Sequence, residues 1–179
     1  MIKQNGLVIE NNVLVRVDIN LSGHLEIPDS VNAIGRSAFS GYRSMTSITI
    51  PNSVTTIGSG AFSDCTGLKS ITIPNSVTTI GSGAFAHCKG LKSITIPDSV
   101  TTIGMWTFAH CTNLRHVILP DNLEKIDDEA FYGCEYLQYT YRGITYFGIK
   151  SIKALLYTKQ QQASLAKQNK SLFQKNNSR

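Results

Sequence analysis

No run of 18 apolar residues occurs in this chain of 179 residues, which leaves no candidate membrane-crossing helix. The opening stretch MIKQNGLVIE lacks the apolar core of a signal peptide. No CxxC pair occurs, so the four cysteines do not read as a zinc site. Acidic residues, proline and glycine are all missing from residues 150–179. Proline is confined to five positions, Pro28, Pro51, Pro74, Pro97 and Pro120, and every interval between them is 23 residues. A fixed period of this size excludes a globule with one buried centre and points to a stack of small, similar units.

The cleanest unit runs from Leu68 to Gly90, LKSITIPNSVTTIGSGAFAHCKG. MTSITIPNSVTTIGSGAFSDCTG precedes it and LKSITIPDSVTTIGMWTFAHCTN follows. Degenerate copies end at Ser44 and begin at Leu114. Apolar residues keep their columns throughout, as in Leu25, Ile48, Ile71, Ile94 and Val117. Another column is Phe39, Phe62, Phe85, Phe108 and Phe131. Within each copy the SITI stretch alternates polar and apolar, the period of a strand with one buried face. Proline ends that strand, having no N–H for the ladder. The following Ile-Gly predicts a turn at positive φ, at Gly35, Gly58, Gly81 and Gly104, with Asp127 in the last copy. The Ala-Phe segment predicts one short helical turn that drops its Phe inward. Each coil buries its apolar side only against its neighbours.

The pattern LxxIxIPxSVxxIGxxAFxxC resembles the BspA-like leucine-rich repeats of bacterial surface proteins, over roughly residues 7–148. The resemblance implies a right-handed leucine-rich-repeat solenoid with a parallel β-sheet on the concave face, and short strands and single helical turns elsewhere. It also implies a secreted or cell-surface location and roles in adhesion and protein recognition. Without a signal peptide in this chain, a cytoplasmic member is the second reading.

The expected organisation is an N-terminal β-hairpin cap over 1–22, five 23-residue repeats over 23–136, and a C-terminal cap over 137–158 with a strand, a hairpin and a short helix. A basic tail over 159–179, helical or disordered, completes it. The N-terminal hairpin turns at Asn11-Asn12, since Asn accepts positive φ. The C-terminal hairpin turns at Arg142-Gly143, and Ile152, Leu155 and Leu156 mark the short helix. Tyr136, Tyr139, Tyr141, Tyr146 and Tyr157 are expected to shield the open end of the stack.

The formal charge of +5 is a property of the tail. Residues 151–179 hold six basic groups, and without them 11 basic face 12 acidic groups. The repeat body is therefore no nucleic-acid groove. The 151–179 tail is the place where a nucleic acid or anionic membrane contact would occur, against the plainer reading of a solubilising end. All four cysteines share one column, Cys65, Cys88, Cys111 and Cys134. Adjacent rungs satisfy the distance for a disulfide, but parallel Cβ vectors disfavour its torsion. The column reads as buried free thiols acting as small apolar groups.

The outward strand positions offer a shallow polar platform: His24, Ser47, Ser70, Ser93 and His116 in one column, Glu26, Thr49, Thr72, Thr95 and Ile118 in the next. Its footprint, a few hundred Å², falls short of the ~800 Å² per partner of a standard interface, so it would need its flanks. A solvated sheet face is the competing reading. Met105-Trp106 breaks the repeat where other copies carry Ser, Gly, Arg or acids, and an exposed Trp is a candidate partner anchor. The alternative is an indole lying flat on a neighbouring rung.

His87 and His110 share a column with Asp64, a weak metal pattern that reads better as ordinary surface. Ser93 and His116 are rung neighbours, with no acid to orient the histidine. Asp127, Asp128 and Glu129 form an acidic patch with Glu124, for which pairing with the basic tail is a secondary reading.

The expected function is a non-catalytic recognition or adhesion module with a protein partner, needing no cofactor and no metal. The alternative is an intracellular protein that uses its basic tail on an anionic partner. A lattice binder built on the Ser/Thr ladders ranks third, and an enzyme last.

Overall fold

The computed structural model describes residues 2–4, 6–18, 22–148, 150, 153, 154, 156, 157, 161 and 164. Three antiparallel strands open the fold: β1 (Ile2–Gln4), β2 (Leu7–Glu10) and β3 (Val13–Val17). Asn11 and Asn12, at φ 50° and 63°, make the tight turn between β2 and β3. Leu7, Ile9, Leu14 and Val17 bury against the first coil.

Each repeat then forms one coil with two short strands. The first strands are β4 (Gly23–Glu26), β6 (Met45–Thr49), β8 (Ser70–Ile71), β10 (Ser93–Thr95), β12 (His116–Ile118) and β14 (Gln138–Tyr141). The second strands are β5 (Ala33–Ile34), β7 (Thr56–Ile57), β9 (Thr79–Ile80), β11 (Thr102–Ile103) and β13 (Lys125–Ile126). Pairing between successive repeats is parallel with a 23-residue offset, as in Ile48↔Ile71 and Ile57↔Ile80, and shortens to 22 where β12 meets β14. Along β10 the alternation is visible directly, with Ile94 buried between exposed Ser93 and Thr95. Where proline ends the first strand, its carbonyl accepts from the N–H three residues on, in all five copies, at 3.0–3.1 Å.

Glycine in the Ile-Gly pair serves a different purpose from the one expected. Neither Gly35, Gly58, Gly81, Gly104 nor Asp127 has positive φ. A Cβ on Gly35, Gly58 or Gly81 would lie 2.8, 2.8 or 2.4 Å from backbone atoms of the preceding coil, so these glycines permit close approach. Gly104 is looser, and its nearest contact would be Ser82 Oγ at 3.8 Å.

Positive φ falls instead on two other columns. One is Ser37, Gly60, Gly83 and Trp106, at 54–64°. The other is Gly41, Asp64, His87, His110 and Gly133, at 57–75°. These left-handed residues limit the Ala-Phe segment to single hydrogen-bonded turns, such as Ala61 N–H to Gly58 C=O. Other N–H groups of the segment donate to the next coil, as Phe62 does to Ala84 at 2.7 Å. A third ladder thus runs down the turn side of the stack.

One continuous core threads the coils. Phe39, Phe62, Phe85, Phe108 and Phe131 stack with centroids 4.9–5.3 Å apart and planes within 10° of parallel. The four cysteines are free, and each thiol donates to the Phe carbonyl of the preceding coil at 3.0–3.2 Å. Ser53, Ser76 and Ser99 make a similar stitch to the carbonyls of Val31, Val54 and Val77.

Both strand ladders are divided at one junction. Strand pairing runs β3-β5-β7-β9 on one side and β4-β6-β8 on the other, then resumes as β11-β13 and β10-β12-β14. The third and fourth coils, which meet there, remain joined by the turn ladder. Gly83, Phe85 and His87 donate to Met105, Thr107 and Ala109 at 2.8–3.0 Å.

At the far end, β14 pairs antiparallel with β15 (Ile144–Phe147) through Arg142 and Gly143, both at positive φ. The tyrosines divide between two roles there. Tyr139 and Tyr141 are buried, with Phe131 edge-on to Tyr139, and Tyr146 packs partly against the core. Tyr136 and Tyr157 stay exposed. Residues 150, 153, 154, 156, 157, 161 and 164 have helical backbone, Leu156 joins the core, and Lys153 pairs with Asp128. Ile152 and Leu155, and the expected tail over 159–179 except Gln161 and Ser164, lie outside the described residues.

Candidate functional site

Two surfaces carry the residues singled out from the sequence. On the first, the parallel register sets Ser47 beside Ser70, and Ser93 beside His116. Thr49, Thr72, Thr95 and Ile118 are exposed on the same face. Its ends are more elaborate than its middle. His24 Nδ1 meets Ser47 Oγ at 2.8 Å, its Nε2 meets Thr49 Oγ1 at 3.1 Å, and Glu26 Oε1 lies 3.9 Å away. His116 pairs in register with Ser93, but its Nε2 is taken by Thr140 Oγ1 at 2.7 Å. Its rung neighbours, Ser93 and Gln138, include no carboxylate. The middle of the face is a flat array of hydroxyls.

The second surface is the turn side. Met105 and Trp106 are 45% and 50% exposed. Trp106 sits at φ 56°, in the column where Gly60 and Gly83 occupy the equivalent positions. A bulky residue there carries a backbone cost that glycine does not. Thr107, also peculiar to this coil, is fully buried, and its hydroxyl is satisfied by the Gly104 carbonyl at 2.8 Å.

Trp106 lines a trough of about 450 Å³ with Gly60, Ser63, Asp64, Gly83, Ala86, His87, Ala109 and His110. Glycine and alanine make its floor. One wall is the half-buried row Asp64, His87 and His110. The His87 and His110 rings stack at 4.7 Å, and Tyr132 meets His110 edge-on at 5.2 Å. A side-chain carbon at Gly133 would lie 2.6 Å from His110 Nδ1, so the glycine leaves room for that ring. Among the described residues no group of three His, Cys, Asp or Glu side chains is placed to hold a metal ion.

Three thiols of the cysteine column are held in the protonated form at neutral pH. Burial pushes Cys65 and Cys134 up to about 12. Cys88 is also raised, first by its hydrogen bond with Cys111 and then by burial.

Sequence reasoning did not find the two left-handed columns, although one of them carried a signal. Gly, Asp, His, His and Gly in a single column are the residue types that tolerate positive φ best. The sequence alone gave no sign that this column and Trp106 face a common trough.

The trough and the ladders stand on a repeat found in other proteins. The BspA type leucine rich repeat region matches residues 15–154 in six copies. A leucine rich cell surface protein from Faecalibacterium prausnitzii is 34% identical with a TM-score of 0.71, covering 74% of this chain and 35% of its own. A leucine-rich repeat protein from Eubacterium ventriosum is 28% identical with a TM-score of 0.68, covering 76% and 40%. The T. pallidum leucine rich repeat protein is 30% identical with a TM-score of 0.67, covering 75% and 65%. The chain thus spans less than two thirds of the length of each of these. No curated protein matches it. The six matched copies fill most of the chain, which belongs to the BspA type leucine rich repeat family.

Proposed function

We propose that this protein is a non-catalytic recognition or adhesion module whose partner is a protein displayed outside the cell. The observation that carries this reading is Trp106, half exposed in a backbone conformation that disfavours it. Strain retained at an exposed aromatic calls for a use outside the fold. Met105, Trp106 and Tyr132 provide the apolar anchors of such a contact. The hydroxyl face of Ser47, Thr49, Ser70, Thr72, Ser93 and Thr95, bounded by His116 and Ile118, provides a second flat contact area.

The test is binding of the purified chain to a panel of immobilised matrix proteins and glycoproteins. Trp106→Gly is expected to weaken binding at least about tenfold, the loss typical of a truncated hot spot. Thr72→Lys with Thr95→Lys reports on the hydroxyl face. Wild-type binding by both variants would sink the proposal. Deletion of 159–179 examines the reading based on the basic tail, which its lack of acidic residues favours. Binding that disappears with the tail and falls steeply with salt belongs to that second reading.

A further inference from the structure

We infer that the Trp106 trough is a saccharide-binding site, so that the partner is recognised partly through a glycan. This rests on the recognition reading above and names the ligand that the turn side would take.

Four observations select the ligand. The floor is free of long side chains, being Gly60, Gly83, Ala86 and Ala109, so a flat molecule can settle on it. The indole of Trp106 adds one half-exposed apolar plane. Asp64, His87 and His110 add a row of hydrogen-bonding groups to the lining, one per rung. Imidazole nitrogens and carboxyl oxygens are groups that ligand hydroxyls can meet by hydrogen bonds. Among the described residues no Lys or Arg lines the trough, which disfavours phosphate, sulfate and carboxylate ligands.

Size narrows the choice further. The trough runs from the second coil, with Asp64, to the fourth, with Trp106 and His110. Two rungs span about 10 Å. A lone ammonium group cannot reach both the carboxylate and the indole across that span. An uncharged ligand with an apolar face and a row of hydroxyls along one edge can, and a pyranose ring or a pair of them has that form. The volume of about 450 Å³ lies within the range of small-ligand sites, roughly 300–1,000 Å³.

Position adds a consequence for stability. Gly83 and His87 belong to the third coil, and Trp106 and His110 to the fourth. These are the two coils between which both strand ladders are divided. A ligand seated in the trough bridges them and should raise the unfolding temperature of the chain.

Trp106 is the only tryptophan, so its emission reports on the trough without a label. The full chain is titrated with lactose, cellobiose, maltose and chitobiose up to about 10 mM, a range that covers millimolar affinity. The expected result is a saturable change in emission with at least one disaccharide, together with a rise in melting temperature. Asp64→Asn and His87→Asn keep residues that accept positive φ. They should weaken that response at least about fivefold while the variants remain folded by circular dichroism. In Trp106→Gly the disaccharide should no longer raise the melting temperature.

Two results would overturn the saccharide. One is a response to tetramethylammonium or arginine amide with none to any disaccharide. The other is silence toward all disaccharides while Trp106→Gly still abolishes binding to immobilised proteins, which leaves the recognition reading standing. If immobilised glycoproteins bind Trp106→Gly and wild type equally, the saccharide reading fails, and the recognition reading fails with it when Thr72→Lys with Thr95→Lys also binds as wild type does.

Discussion

Cys65 shows how a repeated residue becomes both a packing element and a pH sensor of stability. Its side chain is fully buried, its thiol donates to the Phe39 carbonyl, and burial raises it from 9.0 to about 12. In the unfolded chain the same thiol ionises near the unperturbed value. The folded state therefore keeps its full advantage below about pH 9 and loses it as pH climbs from 9 toward 12. The slope from one such group is at most about 1.4 kcal/mol per pH unit. Burial raises Tyr139 as well, which steepens the same alkaline decline. Thermal unfolding should show a flat midpoint from pH 6.5 to 8.5 and a fall above 9. That fall should be shallower in Cys65→Ala. A wild-type midpoint unchanged to pH 10.5 would contradict the burial of these groups.

Among the turns, the Ile-Gly pair is one motif with two mechanical settings. At Gly81 a methyl group would meet the Ser59 backbone at 2.4 Å, and backbone cannot rotate away as a side chain can. At Gly104 the nearest contact is an ordinary 3.8 Å. Neither residue has positive φ, so alanine is conformationally acceptable at both. Gly81→Ala should therefore destabilise by roughly 1–3 kcal/mol through overpacking. Gly104→Ala should be neutral or stabilise by about 0.4–1 kcal/mol, by restricting the unfolded chain. Urea unfolding of the two variants checks this, and equal losses would refute the assignment of close approach. The strands themselves were readable from the alternation in SITI and the proline after it. The purpose of the glycines was not, because the sequence does not state how near the preceding coil comes.

For the stack as a unit, the 23-residue offset between successive repeats, as in Ile48↔Ile71 and Ile57↔Ile80, means that each coil rests only on its neighbours. Deleting 68–90 removes one full coil and places the fourth on the second with all columns still aligned. This variant should fold cooperatively, with a melting temperature lowered by at least several degrees. Deleting 68–78 removes about half a coil, shifts every later column out of register and should prevent folding. Circular dichroism melts distinguish the two, and equal tolerance of both deletions would refute a stack built from equivalent rungs.

The period, the inward columns and the strand with its proline stop were written in the order of residues. Phe39 to Phe131 and Cys65 to Cys134 recur at one spacing, and a coil of constant length must stack them. The left-handed columns, the divided ladders between the third and fourth coils, and the trough beside Trp106 emerged only from the folded chain. They depend on how closely one coil approaches the next and on which N–H finds a carbonyl there. Asp64, His87 and His110 recur 23 residues apart and Trp106 stands in another column, and the coil-to-coil approach is what brings them to a single site.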